Sequence, residues 1–197
     1  MFVVRSLSRG HRGHVHIAKC GGVYIRTCCE HLGTFERVRP SHRRQPLPYV
    51  RGPLAGIEWS AVIRHPVDRF RSLWQWHTQP GHPYDTHNNR VYLQGNYWVD
   101  RDIFLNWNSW MDYWWDHPIP DTNKGMWNPQ LTKITHNTHL FRFETQLDEC
   151  VRWMGGTPRS EPINVSRPFE YRITPVQRSR IELRYPGSVT LWESLPR

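Results

Sequence analysis

Three times along the chain a short apolar run gives way to a turn and then to a segment with helical spacing. That order constrains the fold more than any other feature. His14-Val15-His16-Ile17 passes through Ala18-Lys19 into Gly21-Gly22 and then VYIRTCCEHL, which predicts a strand, a glycine turn and a helix ending near Gly33. Trp59 to Ile63 is a compact apolar run, Arg64-His65 ends it, and Pro66 suits the first turn of a helix over VDRFRSLWQW. His139 to Phe143 reads as a third strand, followed by a helix over TQLDECVRWM that Gly155-Gly156 stops. Strands alternating with helices define an α/β class: one P-loop-like domain over residues 1–197, with a central parallel sheet flanked by helices. Residues 1–13 are a basic N-terminal tail or the lead-in to the first strand.

Between these units lie two other helical patterns. In residues 101–116 the side chains of Ile103, Phe104, Trp107, Trp110, Met111, Trp114 and Trp115 fall on one helical face, and regular spacing of that kind marks a core face before a ligand platform. Residues 174–185 read as a helix with Pro175 at its start. The stretches 37–53 and 78–90, rich in Pro, Gly, Arg, His and Asn, read as loops. Arg142 and Glu144 flank Phe143, so a strand there would place them on one face as a structural pair.

Charge narrows the function. Lys and Arg number 26 against 17 Asp and Glu, a net +9, and only Lys19, Lys124 and Lys133 are lysines. Arginine suits bidentate grip on phosphate, sulfate or carboxylate, so the expected partner is anionic. With 13% aromatic residues and 11 Trp the chain is not disordered as a whole. No apolar run is long enough for a membrane span or a signal-peptide core, which leads us to expect a soluble, cytoplasmic chain. Cys20, Cys28, Cys29 and Cys150 form no CxxC pair and read as free thiols. His11, His14 and His16 do not have the spacing of a structural zinc site, and no metal is expected.

The candidate site follows from the first two strand–turn–helix units. A turn carrying Lys19, Cys20, Gly21, Gly22, Val23 and Tyr24 opens a helix, and free N–H groups at a helix N-terminus bind phosphate. It is shorter than a Walker A loop. Arg64 lies at the end of the second strand and Ser72 eight residues on, inside the following helix, so both are candidates for a second phosphate. In a parallel sheet ligands bind at the carboxyl ends of the strands, where Lys19 and Arg64 are expected. Asp68 and Arg69 read as surface or pairing residues.

These residues resemble a family. HVHIAKCGG is similar to the 5′-phosphosulfate loop of sulfotransferases (PKTGGTS), and AVIRHPVDRFRSLW more specifically resembles their 3′-phosphate motif (RxPxxRxxS). Asn128-Pro129-Gln130, then HLFRFETQLDECVRWMGG, Ile163-Asn164-Val165-Ser166, and Arg184-Tyr185 through Leu191-Trp192-Glu193 follow in the family's order. The resemblance covers roughly residues 14–195 and is closest to the carbohydrate sulfotransferases. It implies 3′-phosphoadenosine 5′-phosphosulfate as cosubstrate, adenosine 3′,5′-bisphosphate as product, and sulfuryl transfer to a hydroxyl or amine. It assigns Lys19 to the leaving 5′-phosphate, Cys20 to Tyr24 to the cradle around it, Arg64 and Ser72 to the 3′-phosphate, and Asn164, Ser166 and Arg167 to the nucleotide. His42, 22 residues before Arg64, fits the family's position for the general base, with Glu36 as second choice; His77 and His82 fit the acceptor side. The loop departs from the pattern in having Cys20, Val23 and Tyr24 where the family places hydroxyl side chains. The basic charge favours an acidic glycan or peptide acceptor. A chain short for the family and without an anchor is expected to be a bacterial or virus-encoded protein, or a trimmed domain.

Two other classes stay open. A nucleotide-binding relative without catalysis fits the missing loop hydroxyls. A nucleic-acid-binding protein fits the +9 charge, but no nucleic-acid motif accompanies it.

Overall fold

Trp59, Ser60, Ala61, Val62 and Ile63 are all buried, so the strand they form is covered on both faces. In the computed structural model this strand is the centre of the parallel part of a sheet. The structure describes residues 2–6, 10–32, 35–36, 56–79, 86–87, 89–94, 97–119, 127–134, 137–161 and 169–197. Its strands there are β1 (Phe2–Ser6), β2 (Gly10–Val15), β3 (Phe35–Glu36), β4 (Glu58–Ile63), β5 (Thr86–His87), β6 (Arg90–Gln94), β7 (Tyr97–Asp100) and β8 (Thr138–Arg142). The helices are α1 (Gly22–Cys29), α2 (Pro66–His77), α3 (Arg101–Leu105), α4 (Trp107–Asp116), α5 (Phe143–Trp153), α6 (Pro175–Arg184) and α7 (Pro186–Ser194). The chain divides into two compact units: Met1–His65 with Pro129–Val165 and Gly187–Arg197, and Pro66–Asn128 with Ser166–Pro186.

The first unit is the α/β unit that the strand–turn–helix order predicts. Its sheet has the order β3-β1-β2-β4-β8. Strands β2, β4 and β8 are parallel, with Val15 opposite Ala61 and Ile63 opposite Arg142. The sheet is nevertheless mixed, because β1 pairs antiparallel with both β2 and β3. The lead-in therefore forms a hairpin with β2 and extends the sheet. Helices α1 and α5 supply Ile25, Cys28, Cys29, Cys150 and Val151 to the core built on the sheet. Gly13 faces Trp59 across the β2–β4 pair, where a Cβ would come within 2.5 Å of the indole ring. All four cysteines are free and buried. Burial, reinforced by the neighbouring Cys28, pushes the Cys29 thiol up to about 12. Burial likewise raises Cys150 to about 12.

One buried polar group in this core makes acid stability predictable. His14 is 1% exposed, and its Nδ1 lies 3.0 Å from the Ser60 hydroxyl, which itself donates to the Gly13 carbonyl at 3.3 Å. Burial, with a smaller push from His16, lowers the His14 pKa to about 3. An unfolded chain binds this proton near pH 6.5, whereas the folded chain does not. Its contribution is thus fully present above pH 6.5 and is lost as pH falls towards 3. Between pH 6.5 and 5 the loss is about 2 kcal/mol at 1.36 kcal/mol per pKa unit. Urea midpoints at the two pH values, compared with a His14→Gln variant, check this; equal pH dependence in the two proteins refutes it.

The second unit contains α2, α3, α4, α6 and an antiparallel sheet of order β5-β6-β7. Its core is aromatic. Phe70 from α2 meets Trp107, Trp114 and Trp127, with ring centroids 4.6–6.1 Å apart and no parallel face-to-face pair among them. The spacing in 101–116 predicts one helix, but the chain breaks at Asn106. That residue is extended, and its side chain accepts a hydrogen bond from the Ser109 N–H, so it caps α4. The apolar face continues across the break, since Phe104, Trp107, Trp110 and Trp114 are all buried. Helix α6 begins as read, at Pro175 behind a capping box in which Thr174 and Gln177 bond reciprocally. Arg69 is not a surface residue: it is 5% exposed, and its Nη1 donates to the Asn128 carbonyl, while Asp68 pairs with Arg71 at 3.3 Å. Among the described residues no helix is long and apolar enough to cross a membrane.

Candidate anion-binding site

Because β2 and β4 run parallel side by side, the segments leaving them emerge at the same end of the sheet. The first turns through Ala18 to Gly21 into α1. Lys19 (φ 64°) and Gly21 (φ 78°) both take left-handed backbone, a conformation glycine adopts freely and lysine does not. Gly22 opens the helix against the His16 ring, which occupies the place a Cβ would need. The sequence places glycines here because the backbone must approach closely and reverse its hand. No side chain caps α1 at Gly21, so the first-turn N–H groups at Gly22, Val23 and Tyr24 have no helical partner. Backbone amides gathered in such a turn form an anion-binding concavity.

The second segment brings a cation to the first. Arg64 directly follows β4, and its Nη1 donates to the Lys19 carbonyl at 3.1 Å, while its guanidinium lies 4.5 Å from the centre of the Phe143 ring. Burial, and then the positive charge of Arg64, hold the Lys19 ammonium below its ordinary pKa. The two side chains thus bring like charge to one end of the sheet, and an anion bound there would relieve their repulsion.

Two of the loop residues have their side chains engaged inside the protein. The Cys20 thiol donates to Gln130 Oε1 at 3.2 Å, and the Cys20 N–H donates to the Ile17 carbonyl at 3.2 Å. The Tyr24 hydroxyl donates to Asp148 Oδ1 at 2.7 Å and accepts from the Arg159 N–H at 3.1 Å. What the loop offers an anion is therefore the backbone at Gly21 to Tyr24 and the Lys19 ammonium. Ser72, on α2 in the second unit, is 2% exposed, and its hydroxyl has no hydrogen-bond partner among the described residues. His42, His82, Asn164, Ser166 and Arg167 lie outside the described residues, as do the side chains of Glu36 and His11. His77 is buried, its Nδ1 is 2.8 Å from the Leu73 carbonyl, and its ring stacks on Trp127. Trp74 is buried as well, with its Nε1 donating to the Phe104 carbonyl, so it belongs to the core of its unit.

The expected strand pair Arg142–Glu144 is not formed. β8 ends at Arg142 and α5 begins at Phe143, which separates the two side chains. Arg142 Nη2 donates to the carbonyls of Trp192 and Leu195, each at 2.7 Å. Glu144 accepts from the His65 N–H and from Trp192 Nε1. Both residues thus fasten the C-terminal segment beside the ends of β4 and β8. Gln130 is the residue that motif reading could not weigh. Its signal, the Asn-Pro-Gln tripeptide, says nothing of the bonds it makes. Among the described residues no group of three or more His, Cys, Asp and Glu could hold a metal ion. No family model, curated protein or solved structure matches the chain.

Proposed function

We propose that this chain is a sulfotransferase that moves a sulfuryl group from 3′-phosphoadenosine 5′-phosphosulfate to a hydroxyl or amine acceptor. The observation that carries the reading is the pairing of Lys19 with Arg64. The Arg64 guanidinium donates to the Lys19 carbonyl, which joins two separate motifs beside a glycine turn and the uncapped N-terminus of α1. Within the first unit the backbone at Gly21 to Tyr24 and the side chains of Lys19 and Arg64 suit a phosphate group.

The cosubstrate supplies an activated sulfuryl group whose sulfur is bonded to a 5′-phosphate oxygen. In the transfer the acceptor oxygen bonds to sulfur, and the bond from sulfur to the phosphate oxygen breaks. The leaving oxygen keeps the electron pair, and Lys19 stabilises the negative charge that develops there. The N–H groups of Gly21 to Tyr24 hold the same phosphate in place. The family resemblance assigns Arg64 and Ser72 to the 3′-phosphate that distinguishes this nucleotide from ATP. His42 takes the acceptor proton, and Asn164, Ser166 and Arg167 hold the nucleotide. The work is mostly positioning and charge stabilisation, as in phosphoryl transfer. An acidic glycan or peptide suits the net +9 as acceptor. The internal bonds of Cys20 favour a second reading, a nucleotide-binding relative without turnover.

Calorimetric titration with adenosine 3′,5′-bisphosphate tests the proposal, with 5′-AMP and ATP as controls. Micromolar binding that weakens at least about tenfold without the 3′-phosphate is the expected result. Equal affinity for 5′-AMP rejects it, and a steep salt dependence on nucleic acid would then favour the nucleic-acid reading. Bisphosphate binding without transfer to any acceptor in a broad screen would favour the non-catalytic relative.

A further inference from the structure

The buried carboxamide of Gln130 closes a ring of hydrogen bonds that joins Arg64 to the Lys19–Cys20 turn. Gln130 is 1% exposed and opens a short 3₁₀ turn (Gln130–Lys133) after Pro129. Its Oε1 accepts from the Arg64 N–H at 3.0 Å and from the Cys20 thiol at 3.2 Å. Its Nε2 donates to the Arg64 carbonyl at 2.7 Å. The pairing of β4 with β8 ends at Ile63 opposite Arg142, so Arg64 is the first residue beyond the ladder. The planar amide of Gln130 takes over there, offering one acceptor and one donor to the peptide groups of a single residue. Its own N–H donates to Ser188 Oγ at 3.2 Å, which fixes the turn that carries it. The ring then runs from Gln130 to Arg64, from the Arg64 guanidinium to the Lys19 carbonyl, and along the chain to Cys20, whose thiol returns to Gln130.

We propose that Gln130 is a positioning residue that fixes the spacing of Lys19 and Arg64 and holds the anion loop in its left-handed turn. It touches neither anion nor acceptor; it acts through Arg64 and Cys20. This explains why a cysteine occupies a position where the family's loop has a hydroxyl. The side chain is turned inward to Gln130, and a thiol reaches that carboxamide oxygen at 3.2 Å. The inference rests on the sulfotransferase reading for the identity of the anion, but the clamp itself is a property of the free protein.

The test uses the Gln130→Met variant, which keeps the volume and removes the three side-chain bonds, and Cys20→Ala, which removes one. Amide hydrogen exchange at Lys19 to Gly22 and Arg64 is measured in the free proteins, with Val62 and Val151 as core references. Affinity for adenosine 3′,5′-bisphosphate is measured alongside. In Gln130→Met, loop exchange is expected to accelerate at least about tenfold while the core references hold, and affinity to fall at least about tenfold. Cys20→Ala is expected to move both in the same direction by less, and it decides the matter if Gln130→Met fails to fold. Unchanged loop exchange overturns the proposal, and so does unchanged affinity where the wild type binds. If the wild type does not bind the bisphosphate, the sulfotransferase reading fails and the exchange data alone decide the clamp.

Discussion

Replacing Arg142 with Met lowers the melting temperature by about 10 °C. The reason lies at the end of α7. The last carbonyls of a helix have no helical partner. Here the carbonyls of Trp192, in the last turn of α7, and of Leu195, just beyond it, both accept from Arg142 Nη2. The Trp192 carbonyl also accepts from the Leu195 N–H at 3.3 Å, and the guanidinium lies 4.1 Å from the centre of the Trp192 ring. A cation at a helix C-terminus also interacts favourably with the helix dipole. Arg142 is 5% exposed, so these bonds are shielded from water. Its Nε is buried with no hydrogen-bond partner among the described residues, which leaves Nη2 to carry the gain. Two bonds to a charged donor contribute about 3 kcal/mol together, after the uncompensated Nε is set against them. For a chain of this size that corresponds to about 10 °C. A thermal melt followed by circular dichroism checks the value, and a shift under about 2 °C would mean that the C-terminal segment is held by other contacts.

Arg64→Ala weakens adenosine 3′,5′-bisphosphate binding about a hundredfold or more, and Lys19→Gly about tenfold or more. Each loses a charge-assisted contact of about 1.5–3 kcal/mol, where 1.4 kcal/mol is a factor of ten. Arg64 loses more because its guanidinium also holds the Lys19 carbonyl, so the loop loosens with it. The two variants part company on stability. Lys19 sits at φ 64°, so glycine there removes strain of about 1 kcal/mol. Lys19→Gly is therefore expected to melt at or above the wild-type temperature while binding less well. Calorimetry and thermal melts on the same preparations separate the two effects. Wild-type affinity in both variants would remove these cations from the site.

The parts of this architecture that follow local rules were legible in the sequence. The apolar run at Trp59–Ile63, the proline that opens α2 and the Thr174–Pro175 start of α6 all appear where spacing and capping chemistry put them. Lys19 and Arg64 come together because both follow parallel strands, which the element order already implied. The parts that were not legible depend on partners distant in the chain. Nothing near Gln130 announces a bond to Arg64, 66 residues away. Arg69 carries a charge that reads as surface or pairing, and it is buried with a bond to the backbone carbonyl of Asn128, 59 residues away. The break at Asn106 escaped because a capped bend can leave an apolar face continuous. Strand β1 and the first residues of β2 escaped, because the run Gly10-His11-Arg12-Gly13 has no apolar residue and Phe2-Val3-Val4 is too short to show a two-residue alternation; only the end of β2, at His14-Val15, was read as strand.

The four enclosed cysteines give this protein a built-in clock. Cys20, Cys28, Cys29 and Cys150 are all shut away from solvent, and those at 29 and 150 stay protonated far above neutral pH. Only a thiolate in contact with water reacts with a disulfide reagent. Colour released from such a reagent therefore counts openings of the molecule. Cys20, in the turn beside the two cations, times the loop, and Cys150, on the helix behind the sheet, times the interior. A ligand that closes the turn would slow the first and leave the second ticking at its former rate.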